Sequence, residues 1–442
     1  MTNQQLDQLV YQAVFGDQNE KQTARYQIWQ QAIAKNIIPA SINDFYLARG
    51  KEKLPLDFTV PAINVRGMAY NTARAAFQAA KKLQVGAIIF EIARSEIGYT
   101  AQRPQEYVSV ISAAALREGW SGPLFIQGDH FQAKAAKTGV PKKGEIETIK
   151  KLIKEAIEAG FYNIDIDMST LVNLDQADEI AQQTPNAKYS LELTKWTRSL
   201  EPQGVTVSLG GEIGHIGGKN STVTDFTAFM DQYNQGLSQN MIGMSKISVQ
   251  TGTHHGGVVL PDGSLADVNV DFSILRDISQ IARDKYQMGG AVQHGASTLP
   301  DEFFAQFAKS EAIEVHLATG FQNIIMDHQA FPKDLLKKIY AWLDQAKKDE
   351  KGQDQSEEQF HYKLRKKAWG QFKKQVWDLP AKVQKPIRQA LVKRFTFMFK
   401  QLNVVNTQKL VTKQVKPVVI DKTKADFVPQ QEQQPEVKGL AD

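Results

Sequence analysis

Between Pro61 and Gly320 eight short apolar runs recur, separated by stretches of helical periodicity. They are PAINV (61–65), GAIIFEIA (86–93), PLFIQGDH (123–130), NIDIDMS (163–169), VTVSLGGEIG (205–214), SKISVQTGTHHG (245–256), GGAVQHGAS (289–297) and AIEVHLATG (312–320). Most are nearly continuously apolar rather than alternating, the pattern of strands covered on both faces. Helical patterns follow the first three runs at 67–84, 103–119 and 144–160, and recur near 188–200, 223–236, 272–286 and 301–309. In the third, Ile146, Ile149, Ile153, Ala156 and Ile157 form a stripe, and Gly160 ends it. Eightfold strand–helix alternation over about 260 residues predicts a (β/α)8 TIM barrel. An open doubly wound sheet is the alternative, but it concentrates chemistry at one switch point. Here polar residues stand at the ends of many strands.

The flanks differ from the barrel. We expect an N-terminal helical extension at 1–57 lying over the barrel's N-terminal face, and the barrel itself at 58–343. A charged linker at 344–359 and a basic helical C-terminal arm with a mobile tail at 360–442 follow. Trp369, Trp377, Phe395, Phe397 and Phe399 imply that the arm docks, on the barrel or on a second subunit. From His361 onward there are 18 Lys+Arg against 6 Asp+Glu, net +12, whereas the preceding body is net −7. Without a nucleic-acid motif, this reads as a solvated helical face rather than a nucleic-acid surface.

The chain has no cysteine, which excludes disulfides, thiolate metal ligands and a cysteine nucleophile. No apolar stretch is long enough for a membrane span, and the N-terminus lacks a signal-peptide layout. The expected location is the cytoplasm.

Of eight histidines, six lie at or just past strand ends: His130, His215, His254, His255, His294 and His316. A lone histidine is usually structural, but six on one barrel face point to a metal. His130, His255 and His294, at the ends of the third, sixth and seventh strands, can hold Zn²⁺ with a coordination position open for substrate. Asp129 either moves a proton at a substrate hydroxyl or orients a histidine. Glu212 can be an additional or alternative ligand. The Gly- and hydroxyl-rich turns HHGG, HGAS and LATG can cradle a phosphate.

From about Phe58 to Asp327 the motifs, in order, resemble those of the class II, metal-dependent fructose-1,6-bisphosphate and tagatose-1,6-bisphosphate aldolases. FTVPAINV is similar to the family's first strand, with Asn64 in place of its Asn. GDH, IDIDMS, GGEIGHIGG, TGTHHGG and QHGAS follow in family order, and FMFKQLNVVNT resembles the C-terminal arm of the longer subclass. The resemblance selects His255 over His254. It implies one catalytic Zn²⁺, or another divalent ion, on His130, His255, His294 and Glu212, and allows a monovalent cation. It also implies Asp129 as the proton-transfer residue. Asn64, Gly256, Gly295, Ser297 and Thr319 would bind substrate and its phosphate, joined by His316 and, for a second phosphate, Arg365. A homodimer or higher homo-oligomer acting on a phosphorylated ketose in glycolysis is the corresponding expectation.

Several positions depart from the family pattern. Lys219 and Asn220 stand where acidic residues usually serve proton transfer. His316 and Ala318 replace Asn and Asp of the last strand, and Ala93 replaces a Ser. Glu96, His215, His254 and His316 are the replacements available. A metal-dependent sugar-phosphate epimerase and a non-catalytic accessory subunit are the alternative readings.

Overall fold

The computed structural model describes residues 1–214, 219–252, 260 and 270–429. Eight strands form its centre. They are β1 (Val60–Asn64), β2 (Ile89–Ala93), β3 (Gly122–Gln132), β4 (Asn163–Asp167), β5 (Ser208–Glu212), β6 (Lys246–Val249), β7 (Ala291–Gln293) and β8 (Glu314–Leu317). Each pairs in parallel with the next, and β8 returns to β1 through Glu314–Val60 to Leu317–Ile63, so the sheet closes. The chain is a (β/α)8 barrel, and every predicted strand is one of its staves.

Helices follow the strands on the outside, at Ala69–Lys82, Pro104–Glu118, Glu145–Ala159, Glu179–Leu200, Val223–Gln235, Phe272–Tyr286, Phe304–Lys309 and Thr319–Met326. Their local causes are legible. Helix Pro104–Glu118 begins with Pro at its first position and stops at Gly119 (φ 63). Helix Glu145–Ala159 buries Ile149, Leu152, Ile153, Ala156 and Ile157, and ends at Gly160 (φ 113). Helix Glu179–Leu200 starts well before the predicted 188, capped by Asp178, and carries Pro185 inside it. Proline removes a backbone donor there, which obscures the helical pattern in the sequence.

The N-terminal helices Asn3–Phe15 and Gln18–Ala34 open with capping boxes from Thr2 and Asp17. A short strand, Ile37–Ala40, pairs in parallel with the start of β3. Asn163 then ties it to the barrel floor, accepting from the Ile42 amide at 2.8 Å and donating to Ala40 and Ile126 carbonyls. Helix Asn43–Gly50 sends Tyr46 upward to donate to Glu314 at the base of β8.

The C-terminal helix Ala381–Gln401 lies on the barrel's own helices. Phe395 packs on Phe321 with ring centroids 4.6 Å apart, and Trp369 donates to Gln322 at 2.9 Å. Residues 424–427 lie against helix Gln18–Ala34, where Phe427 contacts Tyr26 and Trp29. No helix among the described residues is long and apolar enough to cross a membrane.

Candidate active site

The barrel mouth is built by an irregularity in β3. Pairing between β3 and β4 shifts register between Gly128 and Phe131, so Asp129 and His130 form a bulge. His130 has φ 40, a left-handed conformation rarely adopted by a side chain of this size. In a regular strand Asp129 and His130 would face opposite sides. The bulge turns both inward, with His130 Nε2 3.9 Å from Asp129 Oδ1.

Three of the predicted strand-end histidines meet there. The His130 and His294 rings are 4.2 Å apart, and the His294 and His316 rings 4.0 Å apart. His294 Nε2 lies 2.8 Å from the Ser248 hydroxyl. His130 Nδ1 donates to Asp167 at 2.9 Å and faces Glu212 at 3.1 Å. Asp167 is fixed in turn by Gln132 and by the backbone and hydroxyl of Ser169. His215, His254, His255 and Gly256 lie outside the described residues.

Asp129 is held at both oxygens. Asn64 donates to Oδ2 at 2.9 Å, and His316 Nδ1 donates to Oδ1 at 3.1 Å. Asn64 also donates to Glu96, whose other oxygen accepts from Arg66. Glu96 receives the Ala93 amide too, so the residue beside the altered Ala93 position is a buried cap rather than an open acid. His316 reaches Glu314 through Nε2 at 2.6 Å.

Charge follows this geometry. Burial opposes ionisation of Asp129, but His130 and His316 hold its carboxyl well below the usual range. Burial works against the charged forms of His130 and His316 as well. Asp129 and Glu212 raise the first well above its ordinary value, and Glu91 and Asp129 the second. Burial, followed by the Asp167 charge, pushes Glu212 up to about 8. Asp167 is itself held at about 2 by His130 and Ser169 against burial.

A second polar group lies beside the histidines. Gly295 takes φ 69, Ser297 Oγ accepts the Gly320 amide at 3.0 Å, and Thr319 Oγ accepts from Arg66 at 3.2 Å. Arg365 stands elsewhere. It binds Asp327 and Asn323 at the far end of helix Thr319–Met326. Lys219 and Asn220 are exposed.

The residues fit a metal by the chemistry of their donors. Asp129, His130 and His294 offer atoms all within 4.8 Å of one another, as do His130, Asp167 and Glu212. Imidazole and carboxylate are zinc donors. The sequence reading missed Asp167 and Arg66. The second acidic residue of NIDID was the signal for Asp167, since every second residue of a barrel strand faces inward.

The family model described as "Fructose-bisphosphate aldolase class-II" matches residues 55–403. The chain belongs to the class II fructose-bisphosphate aldolase family. As a family member it is an aldolase-type sugar-phosphate enzyme, and this family is generally metal-dependent. Solved structures share the fold at low identity. A fructose-bisphosphate aldolase from Campylobacter jejuni is 17% identical, covering 84% of this chain and 97% of its own, with a TM-score of 0.50. A fructuronate-tagaturonate epimerase from Cohnella laeviribosi is 10% identical, covering 78% and 82%, with a TM-score of 0.54. Comparison with curated proteins gives no significant match.

Proposed function

We propose that this family member is a zinc-dependent lyase that cleaves a phosphorylated ketose, fructose 1,6-bisphosphate foremost, into dihydroxyacetone phosphate and glyceraldehyde 3-phosphate, and runs the reverse condensation. The observation that carries the reading is Asp129, held by Asn64 and His316 beside His130 and His294. An ionised carboxylate fixed at both oxygens is prepared to receive one proton in one direction.

His130 and His294 would hold the ion, with His255 as third ligand and Glu212 as an additional or alternative one. Zn²⁺, when bound, supplies a Lewis acid for the substrate carbonyl. Asp129 takes the proton of the C4 hydroxyl as the C3–C4 bond breaks. The bonding pair stays on C3, which takes up a proton from solvent to give dihydroxyacetone phosphate. Condensation reverses both transfers. Asn64 and His316 hold Asp129 in place. Gly295, Ser297 and Thr319, with Gly256, receive the phosphate nearest the metal, and Arg66 adds a guanidinium beside Thr319. A homo-oligomer in the cytoplasm, serving glycolytic carbohydrate metabolism, completes the reading.

The test is product analysis of a panel of ketose mono- and bisphosphates, with and without chelator and added Zn²⁺. Triose phosphate released only by metal-loaded protein is the expected result. Full turnover by the metal-free protein overturns the reading. A C4 epimer formed without triose points instead to the epimerase.

A further inference from the structure

Beneath the histidines the barrel interior is charged. Lys246 of β6 is fully buried, and its ammonium lies between Asp165 of β4, at 2.9 Å, and Glu314 of β8. Gln127 of β3 offers it a carbonyl oxygen at 2.7 Å and donates its own amide to Glu91 and Glu314, each at 2.8 Å. Tyr46 donates to the other Glu314 oxygen from below.

Glu91, Asp165, Glu314 and His316 have donor atoms all within 4.8 Å of one another, close enough to share a metal ion. The ammonium already sits among them. β5 makes room for it, because a Cβ on Gly210 would lie 2.3 Å from Asp165 Oδ1 and 2.8 Å from Lys246 Cε.

We propose that Lys246 is the resident cation of this second cluster, and that it is a positioning residue for Asp129, acting through Glu314 and His316. The contacts run without a gap. Lys246 binds Glu314, Glu314 accepts from His316 Nε2, and His316 Nδ1 donates to Asp129. His316 Nδ1 also faces Glu91 at 3.3 Å, and Nε2 faces Asp165 at 3.6 Å. Four carboxylates therefore surround one imidazole ring. The ammonium occupies two of them, Asp165 and Glu314, in a low-dielectric interior where uncompensated like charges repel strongly. With Lys246 in place, the ring keeps its orientation toward Asp129. Without it, Asp165 and Glu314 turn to His316 as the remaining cation, and the ring leaves its register.

The Asp129 half of this proposal rests on the proton-transfer role given above. The His316 half does not. The experiment uses full-length, metal-loaded Lys246→Met, labelled with ¹⁵N-histidine. The His316 ring signals are assigned by their disappearance in His316→Asn. Displaced His316 signals are expected, with kcat lower by roughly 10²-fold and KM within about twofold. A lesion of the fold alone would move KM, metal content and the other histidine signals together. Unmoved His316 signals, or wild-type kcat, in folded Lys246→Met overturn the proposal. Should that variant fail to fold, Lys246→Met/Glu314→Gln removes both charges of the pair and is read by the same two outcomes. If the wild-type protein cleaves no ketose phosphate, the functional reading falls, and the His316 signals alone decide the role of Lys246.

Discussion

At the scale of single residues, the positive φ of His130 governs the site. It lets two neighbours in sequence share one face of a strand. Asp129→Ala leaves the imidazoles in place, so metal content should stay near wild type while kcat falls roughly 10²–10⁴-fold. Near-normal turnover would remove Asp129 from the mechanism. His294→Ala should lose both bound metal and cleavage, as read by elemental analysis and a coupled assay. Glu314 gives a pH signature. Burial opposes its ionisation, but Lys246 and His316 hold its pKa at about 2, below the ordinary 4.5. A depressed carboxylate adds stability above its unfolded pKa and loses it as pH falls through the folded one. Unfolding experiments should show wild-type stability declining from pH 4.5 toward 2, with a shallower decline in Glu314→Gln. Equal slopes would remove Glu314 as the source.

The elements show what the sequence could and could not reveal. Eight apolar runs sufficed for the strands, because a stave covered on both faces must be apolar on one side and tightly packed on the other. His130, His294 and His316 were visible because they stand at strand ends in a chain with few histidines, and Asn64 only through its place in the family's first-strand motif. Glu91, Asp165, Lys246 and Glu314 were not. Glu91 and Asp165 sit in mid-strand, and Lys246 and Glu314 open β6 and β8, away from the strand ends that form the mouth. Only the closed barrel brings β2, β4, β6 and β8 around one point. Arg66 was hidden in the same way, since it reaches Thr319 across 253 positions of sequence. Helix Glu179–Leu200 shows another limit. Pro185 interrupts its hydrogen bonding without ending it. Pro185→Ala should restore one backbone bond and raise the melting temperature, the helix-interior difference being at most about 3 kcal/mol. An unchanged or lower melting temperature would mean that the contacts of the Pro185 ring outweigh the restored bond.

For the whole molecule, residues 424–427 meet the second N-terminal helix. Gln22 donates to the Lys424 carbonyl and Gln105 to that of Asp426, while Phe427 is buried against Tyr26 and Trp29. Phe427→Ala should lower stability by about 3 kcal/mol, as truncation of a buried ring does. Limited proteolysis should then cut first in the helices of residues 1–34. Protection equal to wild type would show that those helices hold without the clasp.

That clasp also sets a timetable. Gln22 and Lys424 are 402 positions apart. At ribosomal speeds of about 5–20 residues per second, the second partner emerges roughly 20–80 s after the first. During that interval the N-terminal helices have only barrel helices to lean on, and the aromatic pair Tyr26 and Trp29 stays uncovered. A segment made late in synthesis therefore covers one made early.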